Sequence, residues 1–303
     1  MASCLPNLLL LSFSLFLLFH SSLAATTSTT AVLTNHGGPI LAGNLNLTFI
    51  WYGNFGRPAK NVMRAFVKSL TSNGDFISFQ PHVTEWWTTV EGFQEAAGKG
   101  KGPITVQIGK EFNDAKCSAG KDVTTDIIKD LVKKYDAGDP NSIPVIFTGR
   151  DVKVQGLCTG NCSFHGVLEK KPYLIVGNPE KECPGQCGWP FSKADIAPIG
   201  VQMNPPNGNV GTDSMLIAFA QGLVNIVTNP FSSGFFQSND TQTIEPASAC
   251  PRIFGTGSFP GYIGKIRIDP DTGGVFNAHG NNGTKFLLPA IWDPKTHSCW
   301  TLM

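Results

Sequence analysis

The chain is short of charge. Asp, Glu, Lys and Arg supply 15% of its 303 residues, against about 25% in an ordinary soluble domain, and the signs cancel to a formal +1. Without a basic surplus to neutralise phosphates, the composition argues against a nucleic-acid binder. With 21 Phe and a hydrophobic fraction of 41%, it also argues against a disordered chain. Common catalytic signatures are missing too. There is no Gly-x-Ser-x-Gly elbow, P-loop or strand-to-helix Gly-x-Gly-x-x-Gly, and no His-x3-His pair. Gly257-Ser258-Phe259-Pro260 lacks the second glycine and reads as a turn. Beyond the amino terminus no stretch approaches the length of a membrane span.

What is abundant is turn chemistry: 33 Gly and 21 Pro. This suggests a loop-rich extracellular fold supported by disulfides or glycans. The amino terminus agrees. Leu8–Phe19 is an apolar run followed by small residues at Ser22 and Ala24, the pattern of a secretory leader, although no basic residue precedes it. The expected organisation is a signal peptide over residues 1–24 and a single exported domain over 25–303.

Eight cysteines are present, and Cys4 leaves with the leader. Cys158-x3-Cys162 and Cys183-x3-Cys187 have the spacing of a four-thiolate zinc site, but an oxidising compartment favours disulfides. Pairing within each Cys-x3-Cys would leave Cys250 and Cys299 as partners and Cys117 over; six cysteines allow 15 connectivities. Asn-x-Ser/Thr sequons stand at Asn46, Asn161, Asn239 and Asn282. Asn46 lies in an apolar strand pattern and Asn161 between two cysteines, so Asn239 and Asn282, in polar turns, are the better acceptors.

Hydrophobic periodicity predicts strands at Leu45–Tyr52, Thr105–Ile108, Ile143–Phe147, Val152–Gln155 and Tyr173–Val176. It predicts helices at Arg57–Ser72, His82–Gln94, Asp122–Tyr135 and Asp213–Val227. Strands alternate with helices in the first half, and the second half is loop-rich, so a mixed α+β fold is expected. Asp213, the lone acid of the most apolar helix, reads as its cap. Asp269-Pro-Asp-Thr-Gly-Gly faintly resembles a calcium loop but reads as a polar hairpin turn. His36, His165 and His279 each precede glycine, and a metal site would need them to converge. Trp51, Trp86, Trp87, Trp189, Trp292 and Trp300, with Phe235 and Phe236, offer either core packing or stacking platforms for sugar rings.

Certain strings are unusual in combination: Phe49-Ile-Trp-Tyr-Gly53, Cys183-Pro-Gly-Gln-Cys-Gly-Trp-Pro-Phe191 and Ala247-Ser-Ala-Cys-Pro251. Pro260-Gly-Tyr262, Asn277-Ala-His-Gly280 and Lys285-Phe-Leu-Leu-Pro-Ala290 follow in order. Together they resemble the plant EXORDIUM family, also called phosphate-induced or EXORDIUM-like proteins, from about Leu33 to the end. The resemblance implies a secreted protein of the apoplast or cell wall, associated with brassinosteroid-responsive growth and cell expansion. It transfers no catalytic residue, metal or cofactor, so a non-catalytic role through an unnamed wall or cell-surface partner is expected.

The segment ending Thr228-Asn-Pro230 is also similar to a microbial zinc-peptidase pattern, His-Glu-x-x-Glu before Thr-Asp-Pro. Aligned on Thr228, those positions hold Gln221, Gly222 and Asn225, which supply neither ligands nor a general base. That likeness implies a degenerate metallopeptidase scaffold with residues 213–227 as a central helix under a mixed sheet. Carbohydrate binding or carbohydrate chemistry and a remnant metallopeptidase are the alternative expectations.

Overall fold

A computed structural model of the chain describes residues 32–71, 79–136, 142–195, 200–238 and 243–303. The expected leader and Asn239 lie outside them. Residues 31–303 form one compact unit.

Its centre is a five-stranded sheet built from β1 (Asn44–Tyr52), β2 (Thr105–Asp114), β3 (Ser142–Thr148), β4 (Ser163–Leu168) and β5 (Lys171–Val176). The order is β2-β1-β3-β5-β4. All neighbours run parallel except the β4–β5 hairpin at one edge. Parallel strands covered on both faces must be apolar on both, which is why β3 (SIPVIFT) is buried from end to end. Leu47, Phe49 and Trp51 of β1, Val145 and Phe147 of β3, and Leu174 of β5 face one core. Ile50, Tyr52, Ile146, Tyr173 and Ile175 face another.

Helices α1 (Arg57–Leu70) and α2 (Val83–Ala96) precede β2, and α3 (Thr125–Asp136) precedes β3. α1 buries Met63, Phe66, Val67 and Leu70, a stripe at helical spacing, in the first core with α2. Ile128, Leu131 and Val132 of α3 fill the second. Placing α3 on the opposite face from α1 and α2 lets right-handed crossovers carry the chain outward from β1 in both directions.

Helix α4 (Val210–Thr228) is the buried axis of the first core and packs on β4 and β5. Its 19 residues are long and apolar enough to cross a membrane by length and composition, contrary to the reading of the sequence, yet the helix is spent inside the protein. Its cap also differs from expectation. Asn209 Oδ1 accepts from Thr212 N at 2.8 Å, so Asp213 sits one turn inside the helix.

Other boundaries shift for local reasons. β2 extends to Asp114 and β4 is an added edge strand; both carry polar residues that mask a two-residue alternation. Residues 122–123 pair with 153–154 as a short ladder, so α3 begins at Thr125. After α4 the strands are two to four residues long, and buried side chains tie the loops together. Asn277 Nδ2 donates to Phe254 O and Leu288 O, both at 2.7 Å, while its Oδ1 accepts from Leu288 N at 2.8 Å. Asp269 makes the expected hairpin turn, accepting from Asp271 N and the Thr272 hydroxyl.

The mixed α+β architecture with a central helix and disulfide support stands. The metallopeptidase-like scaffold does not: α4 lies on the antiparallel β4–β5 hairpin at the sheet edge, with Gly222 against Leu174 and Ser163 of β5 and β4.

Candidate functional site

In an open parallel sheet, ligands bind outside the carboxyl ends of the strands, where loops diverge at a switch in topology. Here the switch lies between β1 and β3, but it is closed. Gly53 and Gly149 meet backbone to backbone, so that a Cβ on Gly53 would lie 3.0 Å from Gly149 Cα. Gly149 N donates to Tyr52 O at 2.7 Å and locks the two loops together.

The open space is one strand over, beyond β3 and β5. A cavity of about 230 Å³ is lined by Thr148, Val152, Lys153, Val154, Leu157, Gly177, Asn178, Pro179 and Glu182, with Cys158, Cys162, Cys183 and Cys187 in its walls. Thr148 Oγ1 donates to Val176 O at 3.3 Å. Asn178 caps the helical turn Pro179–Glu182 by accepting from Glu180 N at 3.0 Å.

Near the mouth Arg150 Nη1 pairs with Glu180 Oε1 at 3.2 Å. The other Glu180 oxygen lies against the start of α4: a Cβ on Gly211 would be 2.9 Å from Oε2. A carboxylate is favourable there, beside the positive end of the helix dipole. On the neighbouring loop Lys121 bonds to Asp151 and holds its carboxyl below the ordinary value. Asp213, buried beneath the turn that leads into α4, accepts from Asn207 N at 3.0 Å and Asn207 Nδ2 at 2.6 Å. Burial outweighs those bonds and pushes its pKa up to about 6.

The walls are covalent. Disulfides join Cys158 to Cys183, Cys162 to Cys187 and Cys250 to Cys299, and Cys117 carries a free, buried thiol raised by desolvation. The first two pairings replace the local ones considered from the sequence, and the sulfurs are bonded to each other instead of forming a zinc cluster. Residues four apart on a helical turn project side by side. Cys183 and Cys187, flanking Pro184–Gly185–Gln186, therefore meet partners on a facing segment, giving two rungs.

The three glycine-flanked histidines do not converge. His36 stacks on Phe236 with ring centroids 3.8 Å apart. His165 Nε2 meets Glu245 Oε1 at 2.8 Å, and that oxygen also accepts from Asn229 Nδ2 at 2.7 Å. His279 instead lies opposite His82, which the sequence reading had not paired with it, in an isolated parallel bridge. Both are buried, and desolvation lowers both pKa values; Arg267, Lys285 and His82 add to the effect on His279. Among the described residues no group of three or more metal-ligating side chains forms.

Of the positions aligned with the zinc-peptidase pattern, Gly222 is packed on the sheet and Gln221 is partly buried. Asn225 is spent on structure: Oδ1 accepts from Ala247 N at 2.9 Å and Nδ2 donates to Ser248 Oγ at 3.1 Å. The tryptophan platforms are core as well, since Trp51, Trp86, Trp87, Trp189 and Trp292 are all buried. The exposed aromatic pair is one the sequence reading passed over: Phe259 and Tyr262, 64% and 40% exposed, with ring centroids 5.1 Å apart. Its signal was the Phe-Pro-Gly-Tyr turn, where little core exists to receive two rings. Among the sequons, Asn46 accepts from Gln107 within the sheet, while Asn161 and Asn282 are exposed.

A family profile described as the phosphate-induced protein 1 conserved region matches residues 33–302. The chain is 39% identical over 283 residues to "Protein EXORDIUM" of Arabidopsis thaliana, covering 90% of each chain. It is 39% identical to "Protein EXORDIUM-like 2" of the same plant, again over 90% of each. With "Protein PHOSPHATE-INDUCED 1" of Nicotiana tabacum it shares 36% identity over 90% of this chain and 88% of the other. No solved structure matches.

Proposed function

The chain belongs to the phosphate-induced protein 1 (EXORDIUM) family, and from that premise we propose that it is a secreted, non-catalytic protein of the apoplast or cell wall, acting in brassinosteroid-responsive growth and cell expansion by binding. The observation that carries the binding role is the cavity between the carboxyl ends of β3 and β5. Its four cysteines are locked in disulfides, and its lining carboxylate and ammonium, Glu182 and Lys153, are both exposed. That set suits recognition by hydrogen bonds and charge better than nucleophilic or general-base chemistry, which needs a protected, aligned pair. At about 230 Å³ the cavity is smaller than a drug-sized pocket, and it fits a polar molecule of about one sugar ring.

The test is a titration of purified protein with wall-derived mono- and oligosaccharides and small polar metabolites, followed by thermal midpoint. A ligand at about 100 times its Kd stabilises the fold by ~2.7 kcal/mol. Val154→Trp, which fills the cavity, should abolish that shift while keeping the native circular dichroism. Stabilisation that survives Val154→Trp would reject this site. A fluorescent fusion retained inside the cell would reject the localisation.

A second reading places carbohydrate recognition at Phe259 and Tyr262. Backbone bonds in both directions between these two residues, 3.1 and 2.8 Å, hold them in a tight hairpin. Their exposed rings offer apolar faces to the C–H faces of pyranoses. Phe259→Ala with Tyr262→Ala should release the protein from insoluble wall polysaccharide, and unchanged retention would sink this reading.

A further inference from the structure

Asn282 occupies the tip of a three-residue helical turn, Asn281–Gly283, with a left-handed φ of 57°. Asparagine tolerates that conformation better than most residues. The turn is closed by Gly280 N donating to Thr284 O at 2.7 Å and by the Thr284 hydroxyl donating to Asn281 O at 3.1 Å. It is anchored to α1, where Asn281 N donates to Ser69 Oγ at 2.9 Å. Asn282 is therefore exposed on a fixed support.

Beside it stands an aromatic ring that the core does not absorb. Phe79 is 49% exposed, and its Cε2 lies 3.4 Å from where a Cβ on Gly283 would be. One side of the ring leans on His279, with centroids 5.4 Å apart. Leaving half of a Phe in water forfeits part of what its burial would contribute. A pyranose attached to the next residue would recover part of it.

We propose that Asn282 carries an N-linked glycan whose first sugar packs on Phe79. The Asn282 amide nitrogen bonds to the anomeric carbon of an N-acetylglucosamine carried on a lipid diphosphate. The bond from that carbon to the diphosphate oxygen breaks, the amide loses one proton, and the lipid diphosphate leaves. Transfer precedes folding, so the folded geometry decides which glycan is accommodated. Asn282 accommodates one in solvent, whereas Asn46 sits in a central strand and is bonded to Gln107.

The proposal rests on export, so the protein is expressed in a eukaryotic secretory host twice, with its own leader and with a borrowed one. Peptide mass spectrometry of the secreted protein should find Asn282 glycosylated and Asn46 bare. Both Asn282→Gln and Thr284→Ala should remove the modification. An unmodified Asn282 in protein exported by the borrowed leader overturns the proposal. Export and glycosylation with the borrowed leader alone reject only the secretory reading of residues 1–24. Enzymatic removal of the glycan should lower the thermal midpoint, and this drop should vanish in Phe79→Ala. A drop of the same size in Phe79→Ala overturns the seat.

Discussion

Gly53 and Gly149 stand face to face across the carboxyl ends of β1 and β3, so close that a Cβ on either would press on the other's backbone. A Cβ on Gly149 would lie 3.2 Å from Gly53 Cα and 3.4 Å from Asn54 N. Gly53 adds a φ of +112°, which L side chains rarely adopt. Gly53→Ala should therefore combine backbone strain with a backbone clash and cost about 2–3 kcal/mol. The midpoint of urea unfolding measures it. A change below about 0.5 kcal/mol would mean that the two loops are free to part.

The two rungs give a connectivity that is easy to check. Non-reducing proteolysis should yield peptides joining Cys158 to Cys183 and Cys162 to Cys187, with the Cys117 thiol free to alkylate only after unfolding. Chain entropy assigns about 3.5 kcal/mol to closing a 25-residue loop and about 4 kcal/mol to the 49-residue loop of Cys250–Cys299. Paired Cys→Ser removal of one rung should cost less than removal of the long loop, because the other rung still closes almost the same segment.

Asp213 makes stability depend on pH. Its folded pKa, about 6, lies above the unfolded value of 3.8, so the folded state holds the proton more tightly. The stabilisation is present in full below about pH 4 and is lost as pH rises through about 6, a change of ~3 kcal/mol at most. Asp213→Asn keeps the shape without the titration. Urea midpoints at about pH 4 and pH 7 should differ less in the variant than in the parent, and an unchanged difference would clear Asp213 of the effect.

Glu245 gathers the end of α4, the edge strand β4 and the turn before Cys250 through one oxygen, which meets both His165 and Asn229. Glu245→Ala leaves buried Asn229 and half-buried His165 without this partner and should cost about 2–3 kcal/mol. In a double-mutant cycle with His165→Ala the losses should be less than additive, because both variants break one network. Full additivity would show that the contact carries no coupling.

The interior was legible where periodicity was strong. β1, β3, β5, α1, α3 and α4 declared themselves because a core-facing stripe or a continuous apolar run leaves few alternatives. Edge strand β4 (SFHGVL) did not, since an edge residue answers to one neighbour and tolerates Ser, His and Gly. The cysteine pairing was hidden for a different reason: spacing along the chain says how side chains project from one segment but not which segment lies opposite. His82 and His279 are almost two hundred residues apart in number and meet only because the chain returns to α2. The tryptophans stayed ambiguous between core and platform because an aromatic serves core and surface equally well in a string of letters. Burial separates Trp292 from Phe259.

The paired rungs at the cavity also set how that region opens. Residues 158–162 and 183–187 are joined twice over, at both ends of each short segment, so neither wall can fray alone. Amide hydrogens along the two segments should share one opening free energy and exchange as a single cooperative unit. In an oxidising compartment that unit opens rarely and closes onto the same partner. The cavity thus keeps its shape without needing the surrounding glycine- and proline-rich loops to hold it.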